Sequence, residues 1–386
     1  MTLDDFDRAK HLFKLNEQVF AVMGIWPLQS TYVKFAVWLI YHVVHTCAVT
    51  ADFVEVFGNF DLMVLNISEN AWNVMVISKM LVMRFSRTLV GLTQRVIEAV
   101  DEKSFESLEE KKMYLAYNRV AKIFFKLWVL MGIVTSVAIH MKPLEVVLRA
   151  YRTRVFFDLD ATAFWLMWTY QLPEIYLNTF QTATIGYLFS LILHVCGQMS
   201  VLAHRIKNIE LGPREEDRSS KLVFQDIVKR HRSILGLVAD INKVFNLLLL
   251  EELVVCTLLI GLAAYNVILN LDNADKTVIL ASMLESATIL LLIYGYCVAG
   301  EYLITESTNL HAAYYQCQWY EMSDSFNKQL IICMIGSCKP IQLMGGGFYI
   351  FSLVSFTGVS MNFVNYITNT NEGCKICNLS NSHCNE

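Results

Sequence analysis

Residues 175–203 read IYLNTFQTATIGYLFSLILHVCGQMSVLA, a run without a single Asp, Glu, Lys or Arg. A helix that crosses a bilayer needs ~20 predominantly apolar residues, so this stretch can span one with turns to spare. It is not uniformly oily. Asn178, Gln181 and Thr184 interrupt it, and polar groups facing lipid are costly. The helix is therefore expected inside a bundle, shielded by neighbouring helices.

The rest of the chain supplies those neighbours. Toward the N-terminus, apolar runs occupy residues 124–141, 62–83 and 33–57; toward the C-terminus they occupy 244–269, 277–303 and 343–368. The 62–83 run is broken by Asn66, Glu69, Asn70, Asn73 and Lys79 and is likewise expected to pack inside. The composition agrees: 55% of the 386 residues are hydrophobic and only 17% are charged, where a soluble domain carries about 25% charged residues. The expected fold class is all-α: a polytopic membrane protein of seven transmembrane helices. The opening MTLDDFDRAKHLF lacks the apolar core and cleavage site of a signal peptide. The run at 33–57 is thus expected to act as an uncleaved anchor.

Lysines and arginines orient the bundle, because they accumulate on the cytoplasmic side. Arg8, Lys10 and Lys14 precede the first run, and the second-to-third and fourth-to-fifth connections are strongly basic. The first loop, GNFD, has no basic residue, and the fifth-to-sixth has only Lys276. This predicts a cytoplasmic N-terminus and an extracellular C-terminus. G-protein-coupled receptors have the opposite orientation, and neither D-R-Y nor N-P-x-x-Y stands where they carry it. The cytoplasmic connections read as helical. Residues 222–240 place Val223, Ile227, Ile234, Leu235 and Val238 at near-helical spacing and should continue into the fifth span. Residues 319–335 read as a short amphipathic helix. The aromatic-rich segment 144–170 is expected to fold as a lid over the outer face.

No catalytic constellation is present. Glu285 and Glu301 stand several turns apart, and Glu251 and Glu252 lie within the fifth span. For such intramembrane carboxylates the alternatives are a functional role or pairing with a Lys, Arg or backbone donor that holds the bundle. The tail carries zinc-like ligand types in Cys374, Cys377, His383 and Cys384. It is short and terminal, so a disulfide or a free tail is the expectation, with no metal or other cofactor. Asn66 and Asn378 begin glycosylation sequons. Asn378 is the accessible candidate, and Asn66 is too close to the bilayer. The lack of a basic tract or Gly-rich phosphate loop points to no nucleic-acid partner.

One region is more specific. Cys297 through Ser307 is followed by Tyr315-x-x-x-Trp319-Tyr320, Lys339-Pro340 and Gly346-Gly347-x-Tyr349-x-x-Ser352-Leu353-x-x-Phe356. In order and spacing these pieces resemble the C-terminal signature of insect odorant receptors. The strong motifs occupy about the last quarter of the chain. A related gustatory receptor is the alternative, but its T-Y-x-x-x-x-x-Q-F ending is missing here. A ligand-binding subunit that does not conduct and a transporter are further alternatives, though no internal repeat supports the last.

The resemblance implies an odorant-gated, non-selective cation channel, built as a heterotetramer with a common co-receptor subunit. It implies the plasma membrane of olfactory sensory neurons. Its partners would be that co-receptor, a small volatile ligand, permeant cations and the lipid bilayer. Four regions follow: a cytoplasmic arm at 1–32; spans one to six with the outer ligand pocket and helical loops at 33–304; the anchor helix and pore-lining seventh helix at 305–368; and an extracellular Cys-rich tail at 369–386. An outer pocket would draw on Trp72 and Met75, on Met131, Gly132 and Thr135, and on Tyr176, Phe180 and Thr184. Ala264 and Tyr265, with Met283 and Ser286, would complete it. Gly132 is expected to leave room for the ligand. Ser355, Val359, Asn362, Tyr366 and Ile367 share a face expected to line the pore, and Trp319 and Tyr320 are the expected subunit anchor. Where the family continues with an aliphatic turn, Ile367 is followed here by Thr-Asn-Thr-Asn-Glu-Gly, so the aliphatic gate is reduced.

Overall fold

The computed structural model describes residues 13–29, 31–99, 105–141, 161–209, 217–270, 276–322 and 324–361. Asn362, Tyr366, Ile367, Asn378 and the Cys-rich tail lie outside these residues. The described chain is an all-α bundle with one small hairpin. Among the described residues, five helical stretches are long and apolar enough to cross a membrane: Tyr32–Val56, Leu108–Val137, Thr162–Lys207, Leu222–Tyr265 and Ser286–Gln316.

A short helix α1 (Lys14–Val22) precedes an antiparallel pair, α2 (Tyr32–Val56) and α3 (Phe60–Phe85). The turn between them needs Gly58, whose φ of 96° is left-handed. Asn59 then caps α3 by accepting the Leu62 N–H at 3.3 Å. The polar groups that interrupt α3 are turned onto its neighbours. Asn66 is fully buried and donates to the Val49 carbonyl at 2.8 Å, which removes it as a glycosylation site in the folded chain. Ser86 ends α3 and accepts the Leu89 N–H to start α4 (Arg87–Ala99). The buried stripe of α4 is Leu89, Leu92, Thr93 and Val96, one face at helical spacing.

The fourth span is longer than the sequence suggested. Pro173 lacks an N–H and crowds the preceding turn, so the helix breaks at Gln171 into α6 (Ala161–Tyr170) and α7 (Leu172–Lys207). Apolar helix nonetheless runs from Thr162 to Lys207. Residues 161–170, expected within a lid, thus form a helix that leads into α7. The Trp168 indole confirms the register by donating to the His140 carbonyl near the end of α5 (Leu108–Met141). The expected burial of the fourth span holds: 89% of its apolar window is inside the protein, against 22% for α2. Helices α5 and α7 form the most extensive helix pair. Their axes approach closely at Gly186, where a Cβ would lie 2.7 Å from Phe125.

The two longest helices far outrun a bilayer. α8 (Asp217–Asn270) has 54 residues, about 80 Å at 1.5 Å per residue, and α9 (Lys276–Gln316) has 41. The helix expected from residue 222 into the fifth span is thus continuous. The projecting halves hold each other: the Tyr314 hydroxyl and His231 Nδ1 are 2.9 Å apart, and the Phe224 ring meets Phe326 of α10 (Asp324–Ser337) at 5.0 Å.

The seventh span does not begin at residue 343. Residues Met344–Gly345 (β1) and Tyr349–Ile350 (β2) form an antiparallel hairpin, because Gly346 and Gly347 adopt φ of 63° and 77° and bend the chain back. Two asparagines one turn apart on α8 clamp it. Asn242 donates to the Gln342 carbonyl at 3.0 Å and accepts the Met344 N–H at 3.2 Å. Asn246 accepts the Gly347 N–H at 2.9 Å through its side chain and the Gly346 N–H through its carbonyl. The last helix, α11 (residues 353–361), starts after Ser352, whose hydroxyl accepts the Ser355 N–H.

Candidate functional site

Two features that the sequence showed only as interruptions meet inside the bundle. Lys79 of α3 and Glu252 of α8 are both almost completely buried, and the Lys79 ammonium stands 2.7 Å from Glu252 Oε2. The Tyr296 hydroxyl of α9 donates to the same oxygen at 2.7 Å. Ser78 donates to Glu251 Oε1 at 2.8 Å. An ion removed from water costs several kcal/mol unless it is well paired. Here the pairing joins three helices distant in sequence, and neither partner can leave without stranding the other.

Beside the pair lies a cavity of about 10 Å³, lined by Lys79, Met83, Thr184, Leu188, Phe245, Leu248, Leu249 and Tyr296. That volume is at the threshold for one water molecule. The walls are apolar apart from the Lys79, Tyr296 and Thr184 groups, and Thr184 donates its own proton to the Gln181 carbonyl at 2.7 Å. Small-molecule sites usually enclose about 300–1,000 Å³, so a ligand would occupy this one only by displacing its walls.

A second polar cluster ties α2 to α3 and α7. The His42 ring is 3.3 Å from Glu174 Oε1 and 3.2 Å from the Asn73 carbonyl. His45 lies 3.8 Å from Glu69 and 3.9 Å from Glu174. Among the described residues, no group of three His, Cys, Asp or Glu side chains is arranged to hold a metal ion.

Of the residues expected in an outer pocket, Thr184 reaches the cavity wall. Met75 is buried and touches the Gln181 amide, while Trp72 and Met131 are half-buried against the core. Tyr176 and Phe180 are occupied by α1: the Tyr176 hydroxyl donates to the Val19 carbonyl, and the Phe180 ring meets Phe20 edge-on at 5.7 Å. Their layer is therefore the end of the bundle that bears α1 and the start of α2. Gly132 does not leave open room. A Cβ there would strike Thr182 and come within 3.2 Å of the Thr179 Cα, so the glycine serves close packing of α5 on α7. Thr135 bonds back to the Met131 and Gly132 carbonyls. Ala264 and Ser286 are buried, whereas Tyr265 and Met283 are exposed.

Trp319 and Tyr320 are exposed on a 3-10 turn, as are Ile331, Ile332 and Ile335 of α10. On α11, Ser355 and Val359 are half-buried, and the most exposed apolar residues are Val354 and Met361. Glu301 accepts the Leu353 N–H at 3.1 Å. It is thus a backbone partner for the last helix, one of the alternatives its position left open.

The cavity and the base of α11 share parts. Tyr296 lines the cavity, and its ring packs on Phe351 at 5.8 Å. Phe245, Leu248 and Leu249 line the cavity from the same turns of α8 whose Asn242 and Asn246 clamp the hairpin. Lys79 and Glu252 were visible as intramembrane charges, the signal that could have paired them. The cavity was not visible, since its walls come from four helices.

Comparison with known proteins adds the family. A family model described as 7tm odorant receptor matches residues 59–363. The chain is similar to odorant receptor 82a of Drosophila melanogaster, with 24% identity covering 55% of this chain and 54% of that protein. It is also similar to the odorant receptor coreceptor of Harpegnathos saltator, with 26% identity over 40% of this chain and 33% of that protein. The chain spans about half the length of the first of these relatives. Its fold is similar to the insect olfactory receptor OR5 from Machilis hrabei, with a TM-score of 0.76 and 14% identity, covering 94% of this chain and 98% of that one. A structure of that receptor in complex with eugenol is equally similar, at TM-score 0.76 and 14% identity, covering 94% of this chain and 99% of that one.

Proposed function

Because this chain belongs to the 7tm odorant receptor family, we propose that it is an odorant receptor subunit, a receptor and not an enzyme. It binds a small volatile ligand between α3, α7, α8 and α9, at the Lys79–Met83 end of α3 and not in the outer layer expected from sequence, and gates a non-selective cation channel. It assembles as a heterotetramer with a common co-receptor in the plasma membrane of olfactory sensory neurons, with the N-terminus in the cytoplasm. The observation that carries this reading is the shared wall between cavity and last helix. A ligand that displaces Phe245, Leu248 or Tyr296 displaces the turns and ring that seat the hairpin and Phe351. Binding and the position of α11 are then one mechanical event, which is what a ligand-gated channel needs.

The co-receptor seats on the exposed turn at Trp319 and Tyr320 and on the isoleucine face of α10, where aromatic and aliphatic side chains form an anchor. The last helix faces its counterparts around the ion path, and the outward surfaces of α2 and α5 meet lipid, as their exposed Val, Leu and Ile side chains fit. Electrical recording of cells expressing this chain with and without a co-receptor tests the reading. Odorant-evoked cation current is expected only in the pair. A surface-expressed pair silent to every volatile tested refutes it.

A further inference from the structure

Where α2 begins and α3 ends, one guanidinium is left without an acceptor. Arg84 sits in the last turn of α3 and is half-buried. Its Cζ lies 4.1 Å from the centre of the Tyr32 ring and 5.7 Å from that of Phe35. Phe35 in turn meets Phe85 edge-on at 5.6 Å. Stacking holds the guanidinium plane but satisfies none of its five N–H donors. Nε and Nη2 are sealed from solvent and have no hydrogen-bond partner. The Tyr32 side chain is 72% exposed, so this cover can turn aside. Two more cations stand at the junction: Lys34 two residues after Tyr32, and Arg87 three after Arg84, both exposed. Among the described residues, none of the three cations is paired with a carboxylate. No Asp or Glu occurs from residue 18 to 51 or from 70 to 97.

We propose that Arg84 binds the phosphate of an anionic phospholipid, with Lys34 and Arg87 drawing the headgroup to it. A phosphate suits these donors, because its oxygens accept two parallel guanidinium N–H groups at once. Its charge also offsets cations that no nearby side chain neutralises. The lipid source follows from α2. Val33, Val37, Ile40 and Val44 recur at intervals of four, three and four residues and so share one face of the helix. They are 73, 62, 63 and 55% exposed. This apolar stripe starts in the same turn as Tyr32 and runs about 16 Å at 1.5 Å per residue, a track for an acyl chain whose headgroup lies at Arg84. A free phosphate would make no use of it. In the orientation proposed above, the site faces the cytoplasmic leaflet, whose surface is anionic. One headgroup then ties the start of α2 to the end of α3 and the start of α4.

The test is native mass spectrometry of the full chain purified in neutral detergent and titrated with lipid. The probes are dioleoylphosphatidylglycerol, dioleoylphosphatidylcholine and inorganic phosphate. Wild-type protein should retain phosphatidylglycerol in preference to phosphatidylcholine, and inorganic phosphate at the same concentration should not displace it. Arg84→Gln should weaken phosphatidylglycerol binding about tenfold or more, the weight of hydrogen bonds to a charged donor, and leave phosphatidylcholine adducts unchanged. Arg232→Gln is the control, an exposed cation elsewhere on α8, and should bind as wild type does. If Arg84→Gln does not fold, the double variant Lys34→Gln with Arg87→Gln, both at exposed positions, must reduce the preference for phosphatidylglycerol. Equal retention of the two lipids by wild-type protein overturns the proposal. So does an unchanged preference in Arg84→Gln, or an equal loss in Arg232→Gln, which would mark diffuse attraction to the whole basic surface. Displacement by inorganic phosphate overturns the lipid source and leaves a free-anion site. None of these outcomes bears on the receptor reading, which the current recordings test separately.

Discussion

Replacing Gly300 by alanine tests the junction between α9 and the last helix. A Cβ at Gly300 would stand 2.9 Å from the carbonyl carbon of Phe351, closer still to its oxygen, and 3.4 Å from its Cβ. Non-bonded carbons settle at about 3.5–4.0 Å, so the two segments must separate by roughly 0.6 Å or more. The obstacle is backbone, and no rotamer change relieves it. Phe351 is held by its N–H to Leu343 at 3.0 Å, and Leu353 by Glu301 at 3.1 Å, so the displacement passes into the hairpin and α11. Overpacking of this kind costs about 1–3 kcal/mol, against a helix-propensity gain of about 0.8–1.0 kcal/mol for alanine over glycine. The net is about 0–2 kcal/mol against the described seating of α11, or up to about thirtyfold in an equilibrium. The assay is odorant-evoked current at matched surface expression, with Gly336→Ala as control, since nothing lies within 4 Å of a Cβ there. Gly300→Ala should shift the effective concentration or the basal current by that factor while the control does not. A Gly300→Ala receptor indistinguishable from the control removes the inferred coupling between α9 and the last helix.

Four further outcomes are expected. A tag at Met1 should be labelled only after permeabilisation and one at Glu386 on intact cells, as the basic connections require; surface labelling of the N-terminal tag reverses the orientation. Phe180→Ala should cost about 3–5 kcal/mol of stability and lower all odorant responses together, because its ring packs on Phe20; a selective loss for one odorant would return Phe180 to the ligand site. Ile332→Arg and Trp319→Ala should weaken co-receptor capture in pull-downs without unfolding the chain, both side chains being exposed; unchanged capture moves the subunit contact elsewhere. In a cysteine scan of α11, thiol reagents should alter current most at Val354 and Met361, the exposed apolar positions; a stronger effect at Ser355 and Val359 restores the face expected from sequence.

Element order was legible because hydrophobicity is periodic and local. The run at 33–57 became α2 (Tyr32–Val56), and the pattern at 222–240 became part of α8. The errors fell where one residue overrides composition. Pro173 splits a helix that continues on both sides, so apolar content alone put the start of the fourth span too late. Gly346 and Gly347 turn an apolar segment into a hairpin that hydropathy cannot distinguish from helix. Gly132 was misread because a glycine can mark a void or a tight contact, and only the facing Thr179 and Thr182 decide which. Lys79 and Glu252 are 173 positions apart, a pairing that no local pattern encodes.

The burial of α7 has a consequence for how the protein is made. Membrane helices leave the ribosome one at a time and meet lipid before they meet most of their partners. α7 carries Gln181, Thr182, Ser190 and His194 on surfaces that all end up covered, so it has no side suited to lipid. α5 is already synthesised when α7 emerges, and its Phe125 and Tyr114 fit against Gly186 and Gly197. The α5–α7 pair is thus the step at which a nascent chain is either rescued from lipid or lost. Substitutions that loosen this pair should act first on yield, appearing as receptors retained inside the cell, even where the finished channel would tolerate them.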